Sequence, residues 1–308
     1  MLMSAQPAAQ MPPEVQSAAD ANRVAESTAD HHGSVVSADQ TCLFYRYWPA
    51  EKNGNGHVAI VLHGIGYQSG PYKVIADSLN PCGIDVYGLD ARGHGLSGGR
   101  RGYLGSPGQV VQDVAAMVQF IKQQRPSAKV VLLGDSMGSN YALAYARKHS
   151  GELAGLVLLA PAFYVDPSQF LQWESLRLMP YLFFAHRKPV INLLGKRLEE
   201  STRDPSFVAD RRRDPLAYKK VSFGYVLDIQ RLIWNWRRKI APRVRIPILM
   251  IKGGKDRVVS QRDCVTFARI SASPDKQFKM YPEVYHTTLW DPKTPEILKL
   301  AGEWIGQR

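Results

Sequence analysis

Cysteine is scarce in this chain: 308 residues hold three, Cys42, Cys82 and Cys264. An odd number at wide spacing gives neither a disulfide framework nor a metal-ligand pattern, so a disulfide-stapled scaffold and a zinc module are both excluded. The three read as free, mostly buried thiols in a reducing cytoplasm. Long apolar runs are missing as well. The longest, such as Leu156 to Ala162, have strand length and fall well short of the roughly 20 residues that a membrane-spanning helix needs. No internal repeat is visible. Met1 to about Gly33 is rich in Ala, Gln, Pro and Ser and lacks a basic region followed by an apolar one. It therefore reads as a disordered leader over residues 1–34 rather than a secretory signal.

Acidic residues are also few, 27 against 39 Lys and Arg, for a formal charge of +12. The imbalance is local: from Arg177 to Arg245 there are 17 basic and 6 acidic residues. Attraction to an anionic membrane surface or substrate is one reading of that stretch, and a solvated, soluble face is the other. The segment carries no nucleic-acid recognition signature, and nucleic acid is not expected as a partner.

Along the chain, strand-like and helix-like segments alternate. Strand-like alternation at Gln40 to Tyr47 precedes a Gly/Asn turn and a buried strand, His57 to Leu62, that runs into His63-Gly64-Ile65-Gly66. A helix near Tyr72 to Asn80 leads to a strand at Ile84 to Leu89. Ser106 and Pro107 suit the N-cap and first position of a helix. Val110, Val111, Val114, Met117, Val118 and Ile121 recur at helical spacing within it, and Pro126 stops it. A strand from Lys129 to Leu133, a helix from Tyr141 to His149 and a strand from Leu153 to Ala160 follow. This rhythm implies an α/β fold with a mostly parallel sheet and ligands at the carboxyl ends of its strands. It breaks near Pro161 and resumes at Pro247. The organisation expected is one α/β core, residues 35–161 and 242–308, interrupted by a helical cap at 162–241.

The chemistry centres on Gly134-Asp135-Ser136-Met137-Gly138, which reads as a nucleophile elbow because a strand precedes it and a helix follows. A serine hydroxyl needs a base, a carboxylate to orient that base, and amide donors for the oxyanion. Asp256 follows the strand Pro247 to Ile251, and His286 follows the last strand, Phe278 to Tyr281. The order Ser136, Asp256, His286 is the one expected on an α/β-hydrolase sheet. The amide of Met137 is one candidate oxyanion donor, and that of Ile65, in a Gly-flanked loop at a strand end, is the other. His63 is expected to brace that loop. Epoxide or haloalkane hydrolysis on this fold would want Asp where Ser136 stands.

Taken together, His63-Gly64-Ile65-Gly66, the run Asp90 to Gly98, Arg101-Gly102-Tyr103, the Ser136 elbow, Gly254-Lys255-Asp256 and Tyr285-His286 resemble the monoglyceride lipase and lysophospholipase group of α/β-hydrolases. The resemblance spans about residues 40 to 308. It implies an acyl-enzyme mechanism with no metal and no organic cofactor, and a helical cap over an acyl pocket. It gives Ser136 the role of nucleophile, His286 of base and acid, Asp256 of orienting carboxylate, and Ile65 and Met137 of oxyanion donors. Asp90, Arg92 and His94 match a motif taken as structural. Two departures stand out: Ser139 occupies a position where the group has glycine, and the cap is unusually basic.

The aromatic stretch Trp173 to Phe184 supplies the substrate-binding candidates Trp173, Leu176, Met179 and Phe183, lining an acyl channel, dipping into a membrane surface or simply forming cap core. Arg211-Arg212-Arg213 reads as a solvated run or as a site for an anionic head group. The function expected is a cytoplasmic serine carboxylic-ester hydrolase, peripheral to membranes if the cap docks, acting on monoacylglycerols or related lipid esters. Lysophospholipase and general carboxylesterase are the alternatives within the class. Peptidase or thioesterase chemistry and a non-catalytic ligand-binding role are the alternatives outside it.

Overall fold

Strand side chains alternate between two faces, so a strand buried on both must be apolar at every position. β3 (His57–Leu62) is buried throughout, and β5 (Lys129–Asp135) is buried after its first residue. Val58, Ile60, Leu62, Val130 and Leu132 join one hydrophobic layer. Ala59, Val61, Val131 and Leu133 join the other. The computed structural model describes residues 29–51, 54–163, 179–234 and 236–308.

Eight strands form one sheet in the order β1-β2-β4-β3-β5-β6-β9-β10. The remaining members are β1 (His31–Val36), β2 (Cys42–Trp48), β4 (Asp85–Leu89), β6 (Gly155–Leu159), β9 (Ile248–Gly253) and β10 (Lys276–Tyr281). β1 and β2 pair antiparallel at one edge, and every pairing from β4 to β10 is parallel. The mostly parallel α/β sheet expected from the alternation is present. The carboxyl ends of β3, β5 and β9 therefore open on one side of the sheet, with the sequences that follow them.

The helix Pro107–Gln124 starts as its sequence predicts. The Ser106 hydroxyl accepts from the Gln109 amide, and the Gln109 side chain accepts from the Ser106 amide, a reciprocal capping box with Pro107 at the first position. Lys73–Leu79 and Thr294–Gly306 pack together on the opposite layer.

One boundary differs from the sequence reading. The stretch read as leader through residue 34 already contains most of β1. His31 to Val36 pair residue by residue with Tyr47 back to Cys42, although only Val35 of the six is a buried hydrophobic. An edge strand is held by backbone hydrogen bonds, and His-His-Gly-Ser needs no apolar alternation to make them. Residues 1–28 lie outside the described residues.

Between β6 and β9, short helices at Met179–Phe184, Lys196–Glu200, Pro205–Arg213, Phe223–Leu232 and Trp236–Lys239 accompany a two-stranded ribbon of β7 (Ile191–Asn192) and β8 (Lys220–Val221). This insertion is not wholly separate from the sheet's core. Tyr225, Ile229, Leu232 and Trp236 belong to the same cluster as Tyr141 and Tyr145 of the helix after the elbow. Among the described residues no helix is long and apolar enough to cross a membrane.

Candidate active site

β5 ends at Asp135 and the helix Met137–His149 begins two residues later, leaving Ser136 to make the turn with φ 50° and ψ −110°. A non-glycine residue at positive φ costs on the order of 1–3 kcal/mol and persists only where its surroundings fix it. Here the Ser136 amide donates to the Leu159 carbonyl at 2.8 Å, and its carbonyl accepts from the Ser139 and Ala162 amides. The glycines on either side are sterically required. A Cβ on Gly138 would lie 1.9 Å from the Leu62 carbonyl oxygen, and one on Gly134 would lie 2.5 Å from the Ser139 backbone. Ser139 donates its hydroxyl to the Gly134 carbonyl at 2.8 Å and ties the turn to the helix.

The loops after β9 and β10 meet this turn. Ser136 Oγ lies 3.0 Å from His286 Nε2, and His286 Nδ1 lies 2.9 Å from Asp256 Oδ2. A carboxylate only accepts, so Nδ1 carries the proton and the Nε2 lone pair faces the serine hydroxyl. The other Asp256 oxygen accepts from the Val258 and Val259 amides. Burial opposes ionisation of Asp256, yet His286 and Lys252 hold its carboxyl below the usual carboxylate range. Burial likewise disfavours the His286 cation, but the Asp256 charge, with a further contribution from Asp135, leaves the imidazole above its ordinary value. Asp228 is held by Arg187 and Arg231, and Asp291 by Arg203, so neither is placed to substitute for Asp256.

The loop after β3 is braced from several directions. His63 Nδ1 lies 2.9 Å from the Gly64 carbonyl and therefore donates to it, while Nε2 accepts from the Ala91 amide at 3.0 Å. Burial holds this imidazole neutral by lowering its pKa. The Gly64 amide donates to the Tyr72 hydroxyl at 2.9 Å, and that hydroxyl donates to Asp135 Oδ2 at 2.6 Å. Arg211, from the insertion, takes the Ile65 carbonyl. Of the backbone polar atoms of Gly64 and Ile65, the Ile65 N–H alone has no partner among the described residues. The Met137 N–H, first of its helix, is likewise unpaired among them. An arrangement of hydroxyl, neutral imidazole, carboxylate and two free amides is competent for acyl transfer.

Residues 55–293 match the family model described as serine aminopeptidase, S33. The chain belongs to this family. It is 29% identical to a monoacylglycerol lipase of Mycolicibacterium smegmatis over 91% of its own length and 98% of the relative's. It is 28% identical to a human monoglyceride lipase, covering 89% of this chain and 90% of that one. Its fold matches a soluble variant of monoglyceride lipase from Saccharomyces cerevisiae, in complex with a substrate analog, with a TM-score of 0.73 at 20% identity, over 89% and 94% of the two chains. The S33 member is thus an α/β-hydrolase, as its motifs suggested.

The Asp90, Arg92 and His94 motif is a buried framework, as read. Asp90 accepts from Arg46, Ser69 and the Leu96 amide, and Arg92 pairs with Asp113 and Asp39. His94 spans from the Arg92 carbonyl to Tyr225 of the insertion.

Of the proposed acyl-site residues, Trp173 and Leu176 lie outside the described residues. Met179 and Phe183 fall in the helix Met179–Phe184, whose backbone alone is described at those positions. The roles of three contributors were not read from the sequence: Lys252, Tyr72 and Arg211, the last taken as part of a solvated run or a head-group site. Lys252 had a visible signal, since a lysine closing an otherwise apolar strand must find a buried partner. It donates to Asp256 Oδ2 at 2.7 Å and to the Val259 carbonyl at 3.0 Å. The arginine triplet is not a continuous solvated run: Arg211 is buried, whereas Arg212 and Arg213 are exposed and Arg212 pairs with Glu199.

Proposed function

We propose that the protein is a serine carboxylic-ester hydrolase acting on monoacylglycerols or closely related acyl esters. The observation that carries this reading is the relay Ser136 Oγ, His286 Nε2, His286 Nδ1 and Asp256, with contacts of 3.0 and 2.9 Å, in an S33-family chain. Ser136 Oγ attacks the ester carbonyl as His286 Nε2 takes its proton. The negative charge that develops on the carbonyl oxygen is received by the Ile65 and Met137 amides. Collapse of the tetrahedral intermediate breaks the acyl–oxygen bond, and His286 returns the proton to the departing alcohol. Water, deprotonated by the same imidazole, then cleaves the acyl-enzyme and frees the carboxylic acid and Ser136. Asp256 keeps Nδ1 protonated and stabilises the imidazolium throughout.

The glycerol ester is favoured as substrate by the kinship with lipases named for it. Residues 162–241 are assigned as the cap. Its exposed Phe184 and Trp234, at 89% and 70%, support rest of the cap on a lipid surface from the cytoplasmic side, with the surplus of basic residues favouring an anionic one. That basic surplus also favours a second reading, lysophospholipase. The test is kcat/KM on a 1-monoacylglycerol and on a lysophospholipid of the same acyl chain, with Ser136→Ala as the blank. Preference for the glyceride is expected, and preference for the phospholipid would transfer the assignment.

A further inference from the structure

Arg211 is buried, 4% exposed, near the end of the helix Pro205–Arg213, and no carboxylate pairs with it among the described residues. Its Nη2 donates to the Gly66 carbonyl at 2.6 Å and to the Ile65 carbonyl at 3.2 Å. Its guanidinium lies 4.1 Å from the centre of the Tyr67 ring. Nη1 has no partner among the described residues. The Tyr218 amide, also from the insertion, donates to the same Gly66 carbonyl at 2.8 Å. Gly66 itself has φ +63°, and a Cβ there would meet Leu193, Arg211 and Tyr218.

Burying a guanidinium without a counter-ion is costly, and an apolar side chain would fill this space more cheaply if filling were all that was needed. What Arg211 does instead is fix two successive carbonyls of the loop whose free N–H is that of Ile65. The Gly64 carbonyl, in the same peptide group as the Ile65 N–H, accepts from His63 Nδ1, and the Gly64 amide donates to Tyr72, so the core holds the loop on one side and Arg211 on the other. Without Arg211 the Ile65 carbonyl would lose its partner, and a turn of the Ile65–Gly66 peptide would tilt the neighbouring Gly64–Ile65 peptide, and with it the Ile65 N–H, against its remaining hold from His63. Donors aimed in advance are what make an oxyanion hole effective.

We propose that Arg211 is a positioning residue that aims the Ile65 amide, so that the oxyanion hole is complete only when this part of the insertion is seated on the loop. The inference rests on the esterase reading above. It adds that a residue of the cap, in a stretch without catalytic motifs, governs the chemical step rather than substrate choice.

The test uses a soluble, neutral ester, p-nitrophenyl butyrate, so that no head group or interface contributes. Arg211→Met is expected to lower kcat by about 10- to 100-fold, less than or comparable to outright loss of one oxyanion donor, with KM within about two-fold. The affinity for an alkyl trifluoromethyl ketone, which forms the tetrahedral adduct, should fall by the same factor, while inhibition by the product acid stays unchanged. Arg212→Gln serves as the control and should match the wild type. In Arg211→Ala, millimolar guanidinium should restore part of the lost rate.

Wild-type kcat on the neutral ester in folded Arg211→Met, or a loss carried by KM alone, would overturn the proposal. If Arg211→Met does not fold, Arg211→Lys decides. A single ammonium cannot reproduce the fork that spans both carbonyls, so kcat and ketone affinity should fall together, and wild-type values of both would overturn it. Failure of the esterase reading has a different signature: Ser136→Ala would then retain turnover. A dead Ser136→Ala beside a wild-type Arg211→Met sinks the clamp alone.

Discussion

Replacing Lys252 with methionine separates two roles that one buried lysine serves. Its side chain and that of Asp256 are both fully buried, and the ammonium bridges Asp256 Oδ2 and the Val259 carbonyl. Removing one member of a buried ion pair costs about 3–5 kcal/mol, because the other charge is left in a poor solvent. Asp256 would retain His286 and the amides of Val258 and Val259, which puts the cost at the low end, about 3 kcal/mol. At about 2 °C per kcal/mol for a chain of this size, Tm should fall by about 6 °C. Lys252 also lowers the His286 pKa by charge repulsion. Its removal therefore raises that pKa, and the acid limb of the kcat/KM profile moves to higher pH, since only neutral His286 accepts the serine proton. Asp256→Asn in the Lys252→Met background removes the stranded charge and should recover part of the stability while losing most of the turnover. The measurements are thermal unfolding and pH–rate profiles of both variants. An unchanged Tm with an unmoved or lowered acid limb would refute the reasoning.

Three further outcomes follow from the same geometry. The wild-type acid limb should lie above pH 6.5, the ordinary histidine value, and Asp135→Asn should move it to lower pH by removing a charge that favours the imidazolium, as a pH–rate profile would register. Tyr72→Phe strips the acceptor from the Gly64 amide and the donor from Asp135, so it should cost about 1–3 kcal/mol of stability and lower kcat on a soluble ester, and wild-type kcat would contradict the loop brace. Gly138→Ala should fail to give active protein, because its Cβ would sit 1.9 Å from the Leu62 oxygen; recovery of wild-type Tm and kcat would show that the elbow is more pliable than described.

What the sequence made legible was whatever repeats a local rule. The apolar runs of β3, β5, β6 and β9, the capping box at Ser106 and the glycines of the elbow each announce themselves within a few residues. That Ser136, Asp256 and His286 would meet was foreseeable because each follows a strand, and a parallel sheet brings such ends together. What stayed hidden depends on partners far along the chain. β1 is polar because it needs only the backbone of β2, Tyr72 looked like a helix-start residue until Gly64 and Asp135 met its hydroxyl, and Arg211 read as solvated or as a head-group site beside Arg212 and Arg213. One face of the helix Pro205–Arg213 is turned to the Ile65–Gly66 loop and the other to water, and over nine residues of mixed composition no periodicity distinguished them. The insertion's packing into the main core was hidden for the same reason, since Tyr225 and Trp236 join that cluster from far along the chain.

The most direct test of the account is hydrolysis of a 1-monoacylglycerol by the wild type and by Ser136→Ala, with thermal unfolding run alongside. Turnover by the wild type is expected, and in Ser136→Ala an unchanged Tm with kcat/KM reduced by roughly 10⁴-fold or more. A well-folded Ser136→Ala protein that still cleaves the ester at near the wild-type rate would contradict it.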